Sequence, residues 1–374
     1  MTDAPVPLSA AADGLRVRSV ETRGVMVPLN FTLGTSAAIV REAPLLLVDL
    51  HTDGGITGRT YLFCYRPSGA AAISAILHEA VASIAGEPVA PVDLYSVLSK
   101  RYALFGVAGA VRMALSALDM ALWDALAISR DEQLAVTLGG DARPHRAYNS
   151  CGLGLMDAPE AVADEAEILL ERGFGGVKLR LGYATLEADI AAARAVRDRV
   201  GSDIAIPCDY NQTLDFDEAL RRGKALQDEG LHWLEEPIRH DDYRGCAKLR
   251  ATLDWPVQIG ENFNGPEAMD AAIAAGACDL VMPDIDRIGG ITGWLLASRI
   301  AELHRLPMSS HLFPEISVHA MAATPTADWI EYVDWADAFL AEPLRIEDGL
   351  AHPLAGPGVG WRWDDDKLSR LKSL

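Results

Sequence analysis

Little in this chain would cross-link it or anchor it. Its five cysteines (Cys64, Cys151, Cys208, Cys246 and Cys278) form no CxxC pair and are odd in number. That argues against a disulfide framework and for a reducing, cytoplasmic setting. No apolar run reaches the length of a transmembrane helix, so no membrane partner is expected. The opening MTDAPVPLSAAADG lacks both a basic n-region and an apolar h-region, and reads as a frayed terminus rather than a signal peptide. Positive charge is scarce: 33 Lys and Arg face 53 Asp and Glu, for a net charge of −20. That balance excludes nucleic acid, which needs a basic footprint. It leaves room for a small anionic substrate, because a metal and a few local cations can outweigh the global sign. No Walker GK[ST] occurs, and the GPGVG at 356–360 opens no helix. Core material is ample, with half of the 374 residues hydrophobic. The length suggests two or three domains.

Residues 15–63 alternate as strands: VRSVETRGVMV, PLLLVDLHT and, after a DGG turn, ITGRTYLF. Segments 70–85, 92–104 and 109–128 carry helical periodicity. Strands followed by helices make an α+β domain over residues 1–140, closed by the LGGDARP stretch. From about 145 the pattern becomes regular alternation. Candidate strands are 145–150, 175–180, 204–209, 231–235, 256–261, 279–284, 306–311 and 329–333, with helical stretches such as LEADIAAARAVRDRVG between them. Eight such strands predict a parallel (β/α) barrel rather than a doubly wound sheet, which would carry a glycine-rich phosphate loop early.

Three acids stand at one spacing. Asp209, Glu235 and Glu261 are 26 positions apart, each ending an apolar run: IAIPCD, LHWLE and PVQIGE. A single strand-end acid is usually a solvated cap. Three at equivalent ends of adjacent barrel strands would repel unless a cation sat among them. An oxygen-only set favours Mg²⁺, with Mn²⁺ as the alternative and Zn²⁺ disfavoured. The other strand ends supply Lys178 and Arg180 on one face of strand 2, and Asn211 just past strand 3. Asp284, His311 and Glu331 end strands 6, 7 and 8. Barrel order puts Glu331 across the mouth from the acids, the Lys/Arg pair opposite strand 6, and Asp284 beside His311. A carboxylate held between metal and Glu331 would present its α-carbon to a base, with Asp284 holding the other imidazole nitrogen.

The motifs PLLLVDL, YLFCY, MALSALDMALWDAL, GFGGVKLRLGY, CDYNQTLD, WLEEP, PVQIGENFNGPEAM, MPDIDRIGGITGW, PMSSHLFPEIS and AATPTADWIE follow in order within residues 20–345. With them the chain resembles the enolase superfamily, in its mandelate racemase subgroup. The resemblance implies an α/β fold with a modified (β/α)8, that is (β/α)7β, barrel at 141–345. It also implies an N-terminal capping domain and a C-terminal segment, 346–374, folded back on that domain. It further implies metal ligation by Asp209, Glu235 and Glu261, a His311–Asp284 dyad, Glu331 as hydrogen-bond donor to the substrate carboxylate, and Ser150 as a carboxylate binder. A homo-oligomer is expected, although no residue pattern fixes the subunit count.

The chain departs from that subgroup's namesake pattern on strand 2, Lys-x-Lys, by reading Lys178-Leu179-Arg180. A guanidinium resists acting as a base. Two-base racemisation is therefore in question. Either Lys178 and the metal perturb Arg180 enough for it to act as a base, or His311 is the sole base and Arg180 positions the substrate or stabilises charge. A sole base would suit loss of a β-hydroxyl. Arg287 in DIDRIGG reads as a supporting cation. A loop at 29–42, LNFTLGTSAAIVRE, is expected to set specificity through Phe31, Leu33, Ile39 and Val40, joined by Tyr65. Asn30, Thr32, Thr35 and Ser36 offer hydroxyl or amide contacts to a sugar acid. Overall similarity puts a 2-hydroxy acid racemase or epimerase first and an acid-sugar dehydratase second. An inert barrel acting as a binding protein is the reading from another class.

Overall fold

A computed structural model describes residues 14–35 and 38–374. The expectations for residues 1–13 and for Ser36 lie outside those. Three antiparallel strands, β1 (Val17–Gly34), β2 (Ile39–Thr52) and β3 (Thr57–Phe63), open the chain. Helices α1 (Pro67–Ser83), α2 (Pro91–Arg101), α3 (Ala110–Ser129) and the short α4 (Leu134–Thr137) follow. Every residue of α3 from Val111 through Ala127 is buried. A helix buried all round belongs between two layers, and its few polar residues, Arg112, Ser116, Asp119 and Asp124, are buried with it. Gly58 lets α3 approach β3, since a Cβ there would collide with the Ala121 carbonyl and lie 2.9 Å from the Ala125 Cβ.

The barrel staves are β4 (His145–Asn149), β5 (Leu179–Arg180), β6 (Cys208–Asp209), β7 (Leu234–Glu235), β8 (Val257–Ile259), β9 (Leu280–Val281), an unladdered seventh at 308–311, and β10 (Ile330–Tyr332). They alternate with α5 (Pro159–Leu170), α6 (Leu186–Val200), α7 (Phe216–Leu226), α8 (Tyr243–Thr252), α9 (Pro266–Ala274), α10 (Ile285–Ile288), α11 (Gly290–His304) and α12 (Pro314–Ala322). Parallel bridges Asn149↔Val177, Val281↔Met308, Asp284↔His311 and Met308↔Ala327, with the β10–β4 ladder, close the ring. Among the described residues the eighth stave is followed by a 3-10 turn and by no α-helix before residue 345, which makes this a (β/α)7β barrel. Most ladders run shorter than the apolar runs suggested. Pro207, Pro256, Pro283 and Pro307 sit inside those runs and withhold a donor.

Two expectations need correction. The 29–42 segment is mostly not a loop: β1 and β2 continue through it as a ribbon, pairing Leu33 with Val40 and Gly34 with Ile39. Pro28 and a register shift before Leu33 mark where the ribbon leaves the main sheet. The 346–374 segment does not pack wholly on the capping domain either. Its start forms a hairpin, β11 (Arg345–Glu347) and β12 (Leu350–His352), and β12 pairs with β4 of the barrel. The return comes later, where the Val359 N–H donates to Asp124 and the Trp363 indole donates to Asp49. After α13 (Asp365–Arg370), β13 (Lys372–Ser373) joins the edge of β1.

Candidate active site

The register of β5, β6 and β7 aligns Arg180, Asp209 and Glu235 side by side at the stave ends. Carboxylate oxygens of Asp209, Glu235 and Glu261 all lie within 4.8 Å of one another. Each is held from behind. Asn211 donates to both Asp209 oxygens, from its backbone at 2.7 Å and its amide at 2.9 Å. The Trp233 indole donates to Glu235 at 3.0 Å, and the Asn262 amide bridges Glu261 and the buried Glu236. Arg287 donates to Asn262 and lies 4.6 Å over the Tyr65 ring. Burial, with the charges of Asp209, Glu331 and Glu261, pushes Glu235 up to about 7 despite Lys178. A cation among these oxygens would relieve that repulsion, and an all-oxygen donor set suits Mg²⁺.

Lys178 does not turn toward the Asp284–His311 side. Its buried ammonium lies 2.6 Å from Glu235, 2.9 Å from Glu331 and 3.2 Å from Asp209. Burial alone would lower its pKa, but those three charges raise it well above normal. Arg180 is also committed. It donates to the Gly152 carbonyl at 2.5 Å, the Ser150 hydroxyl at 2.9 Å and the Ser150 carbonyl at 3.2 Å.

His311 Nδ1 sits 2.5 Å from Asp284, while Nε2 lies 3.2 Å from Glu261 and 3.7 Å from Glu331. Burial opposes its protonation, yet the Glu331 and Glu261 charges and the Asp284 bond raise its pKa well above the usual value. Glu331 accepts from Lys178 and from the Leu312 N–H at 2.9 Å. Against the effect of burial, Lys178 and His311 hold its carboxyl down to about 2. The expected donor thus acts here as an acceptor. Donation by Glu331 requires that it first take up a proton.

Lys178, Arg180, Asp209, Asn211, Glu261, His311, Glu331 and Ser150 line one cavity of about 160 Å³ with Leu33, Val40 and Tyr65. Glu235 and Asp284 lie beneath its surface, both fully buried. The rest of its far wall is Phe63, Leu312, Val333 and Trp335, which the sequence reading missed. Leu312, next to His311, was findable as a chain neighbour, and strand alternation would have marked Val333 and Trp233. Trp335, on a 3-10 turn after the last stave, left no local signal. Phe31 and Ile39 do not line the cavity, and Ile39 is 63% exposed. Asn30 donates to Asp334 at 2.8 Å, and so fastens the ribbon to the barrel mouth.

Comparison with known proteins adds to this geometry. Residues 17–139 match the model of the mandelate racemase / muconate lactonizing enzyme N-terminal domain, and residues 161–367 match the enolase C-terminal domain-like model. The chain belongs to the enolase superfamily. L-talarate/galactarate dehydratase of Salmonella typhimurium is 30% identical over 91% of this chain and 87% of its own length. Two solved structures superpose closely. An enolase from alpha proteobacterium BAL199 with bound magnesium has a TM-score of 0.93 and 42% identity, over 96% of this chain and all of its own. A Bradyrhizobium enolase in complex with magnesium and mandelic acid has a TM-score of 0.90 and 38% identity, over 96% and 99%. This enolase-superfamily protein is therefore an enzyme of the isomerase or hydro-lyase type with Mg²⁺ as cofactor. Among its described residues, no helix is long and apolar enough to cross a membrane, and all five cysteines are buried and unbridged.

Proposed function

We propose that the enzyme removes the α-proton of a 2-hydroxy carboxylate with His311 as its single base, and that loss of a β-hydroxyl follows. The observation that carries this reading is the pair of commitments around the cavity. Asp284 fixes Nδ1 of His311 and leaves Nε2 on the cavity side, whereas three hydrogen bonds tie Arg180 to Gly152 and Ser150. Asp209, Glu235 and Glu261 would hold Mg²⁺, which supplies positive charge against the negative charge that builds on the substrate carboxylate. Lys178 adds charge beside the same carboxylate, and Ser150 with Arg180 borders it. In its neutral form His311 takes the α-proton, the C–H electrons form the double bond to the β-carbon, and the β-hydroxyl leaves as water with the proton from His311. The resulting enol becomes a 2-keto acid.

A second reading rests on the far wall. Leu33, Val40, Phe63, Leu312 and Val333 suit an apolar or aryl group, as in the mandelic acid bound by the Bradyrhizobium relative. Such a substrate has no β-hydroxyl to lose and would be racemised, with Arg180 returning the proton. The way Arg180 is held supports dehydration over that course. Incubation in D₂O with single enantiomers of mandelate and with galactarate separates the two. We expect 2-keto acid from a polyhydroxy acid and α-exchange in one stereochemical series only. Inversion of either mandelate enantiomer would reject the single-base reading. His311→Asn should lower exchange by at least ~10²-fold.

A further inference from the structure

The stave that carries His311 is bonded to both neighbours up to Ser310, whose N–H donates to the Trp329 carbonyl at 2.9 Å, and is held less tightly at its end. It has isolated bridges at Met308 and His311 in place of a ladder, and the His311 N–H reaches the Pro283 carbonyl at a long 3.3 Å. Directly after it, Leu312 and Phe313 both adopt left-handed backbone, at φ of 52° and 46°. Bulky side chains disfavour that region, so surrounding contacts must hold the turn. Some of those contacts come from the capping domain. Tyr61 on β3 packs its ring 5.2 Å from that of Phe313 and 5.3 Å from that of Phe339. Its hydroxyl donates to Glu315 at 2.8 Å, in the first turn of α12 and four residues after His311. Both residues are buried, and the second Glu315 oxygen has no hydrogen-bond partner among the described residues.

We propose that Tyr61 and Glu315 are positioning residues for the reaction: their bond clamps the strained 312–313 turn to the capping domain and thereby sets the place of His311. The residues that follow Tyr61 give the clamp a second consequence, because Phe63 and Tyr65 line the far wall of the cavity. One strand end therefore touches the distal part of the substrate and fixes the base. Glu315 suits this task as a neutral acid. Burial pushes its carboxyl up to about 8, against the Tyr61 bond and with the help of Asp337. A neutral carboxyl tolerates an unpartnered oxygen far better than a carboxylate does. Glutamine is accordingly the conservative replacement.

The inference rests on His311 being the base, so its test pairs a rate with a signal that needs no turnover. The short His311–Asp284 hydrogen bond should give a low-field imidazole proton resonance in the Mg²⁺-loaded enzyme. Tyr61→Phe and Glu315→Leu should shift or broaden that resonance. They should also lower kcat for α-exchange about 10-fold with KM within about twofold, the size expected from a small misplacement of a reacting group. Glu315→Gln should keep both readouts near wild type. If Tyr61→Phe and Glu315→Leu melt at lower temperature but keep the resonance and kcat, the pair is only structural and the proposal is overturned. It is also overturned if Glu315→Gln loses as much as Glu315→Leu. A moved resonance with unchanged exchange would keep the clamp and reject His311 as the base. Tyr61→Phe removes one oxygen atom, so it carries the test should Glu315→Leu fail to fold.

Discussion

Lys178 shows how one side chain can serve both folding and chemistry. Its ammonium compensates Asp209, Glu235 and Glu331, none of which is more than 2% exposed. Removing one member of a buried ionic group strands the others, at about 3–5 kcal/mol. We therefore expect Lys178→Met to lower the melting temperature of metal-stripped protein by several degrees. Mg²⁺ should restore part of that loss, because a divalent ion can compensate the same acids. Melts with and without Mg²⁺ check this, and equal losses in both would contradict it. Turnover should not return with the metal, since charge beside the substrate carboxylate remains missing. Arg180 and Glu331 teach a related point. Chain position puts both at stave ends, but their hydrogen bonds decide whether they can give or take a proton.

Among the elements, the β1–β2 ribbon governs access to the cavity. Leu33 and Val40 face each other across it and reach the cavity wall. Its tip is fastened to the segment after the first stave, where the Leu155 N–H donates to the Gly34 carbonyl at 2.8 Å. Gly154 makes this docking possible, because a Cβ there would lie 2.7 Å from the Gly34 oxygen. Gly154→Ala should push the ribbon outward and raise KM by about 10-fold, with a stability change of about 1 kcal/mol or less. Steady-state kinetics beside thermal melts would show it. An unchanged KM would mean that the ribbon does not shape the site. Pro28, which ends the regular pairing of β1 and β2, makes the same segment readable from sequence as a break but not as a ribbon.

At the scale of the molecule, the two domains meet through buried acids. Asp119 on α3 accepts from Thr292 on α11, and Asp124 accepts from Arg59 and Val359. Burial pushes Asp119 up to about 7 and Asp124 up to about 6, against their hydrogen bonds. A carboxyl whose folded pKa is raised keeps a proton that the unfolded chain has released. Stability therefore falls as pH rises from the unfolded value and is fully lost at the folded one. His145 and His319, lowered by burial to about 4, act in the opposite sense but finish near pH 6.5. Above that, Asp119, Glu235 and Glu315 are left, and His311, raised by its acidic neighbours, acts in the same sense. The melting temperature of metal-stripped protein should decline between about pH 6.5 and 8.5, by an amount of order 1 kcal/mol per unit of pKa difference. Differential scanning calorimetry checks it, and a rising or flat profile would show these acids to be ionised already.

The barrel and its acids were legible in the chain because they are periodic. A strand-and-helix unit of nearly constant length places Asp209, Glu235 and Glu261 at equivalent ends, and Asp284 and His311 follow on adjacent staves. The family motifs then fixed the capping domain and the magnesium cofactor. What sequence left open were the contacts between distant segments that barrel order alone does not relate. Trp335 behind the cavity, Ser150 and Gly152 under Arg180, and Tyr61 against Glu315 are such relations. Local patterns specify which way a side chain leaves its own strand, and they carry no information on what a distant strand brings to meet it. Only the closed barrel with its cap decided that Arg180 is tied, that Glu331 accepts, and that the base-bearing turn leans on another domain.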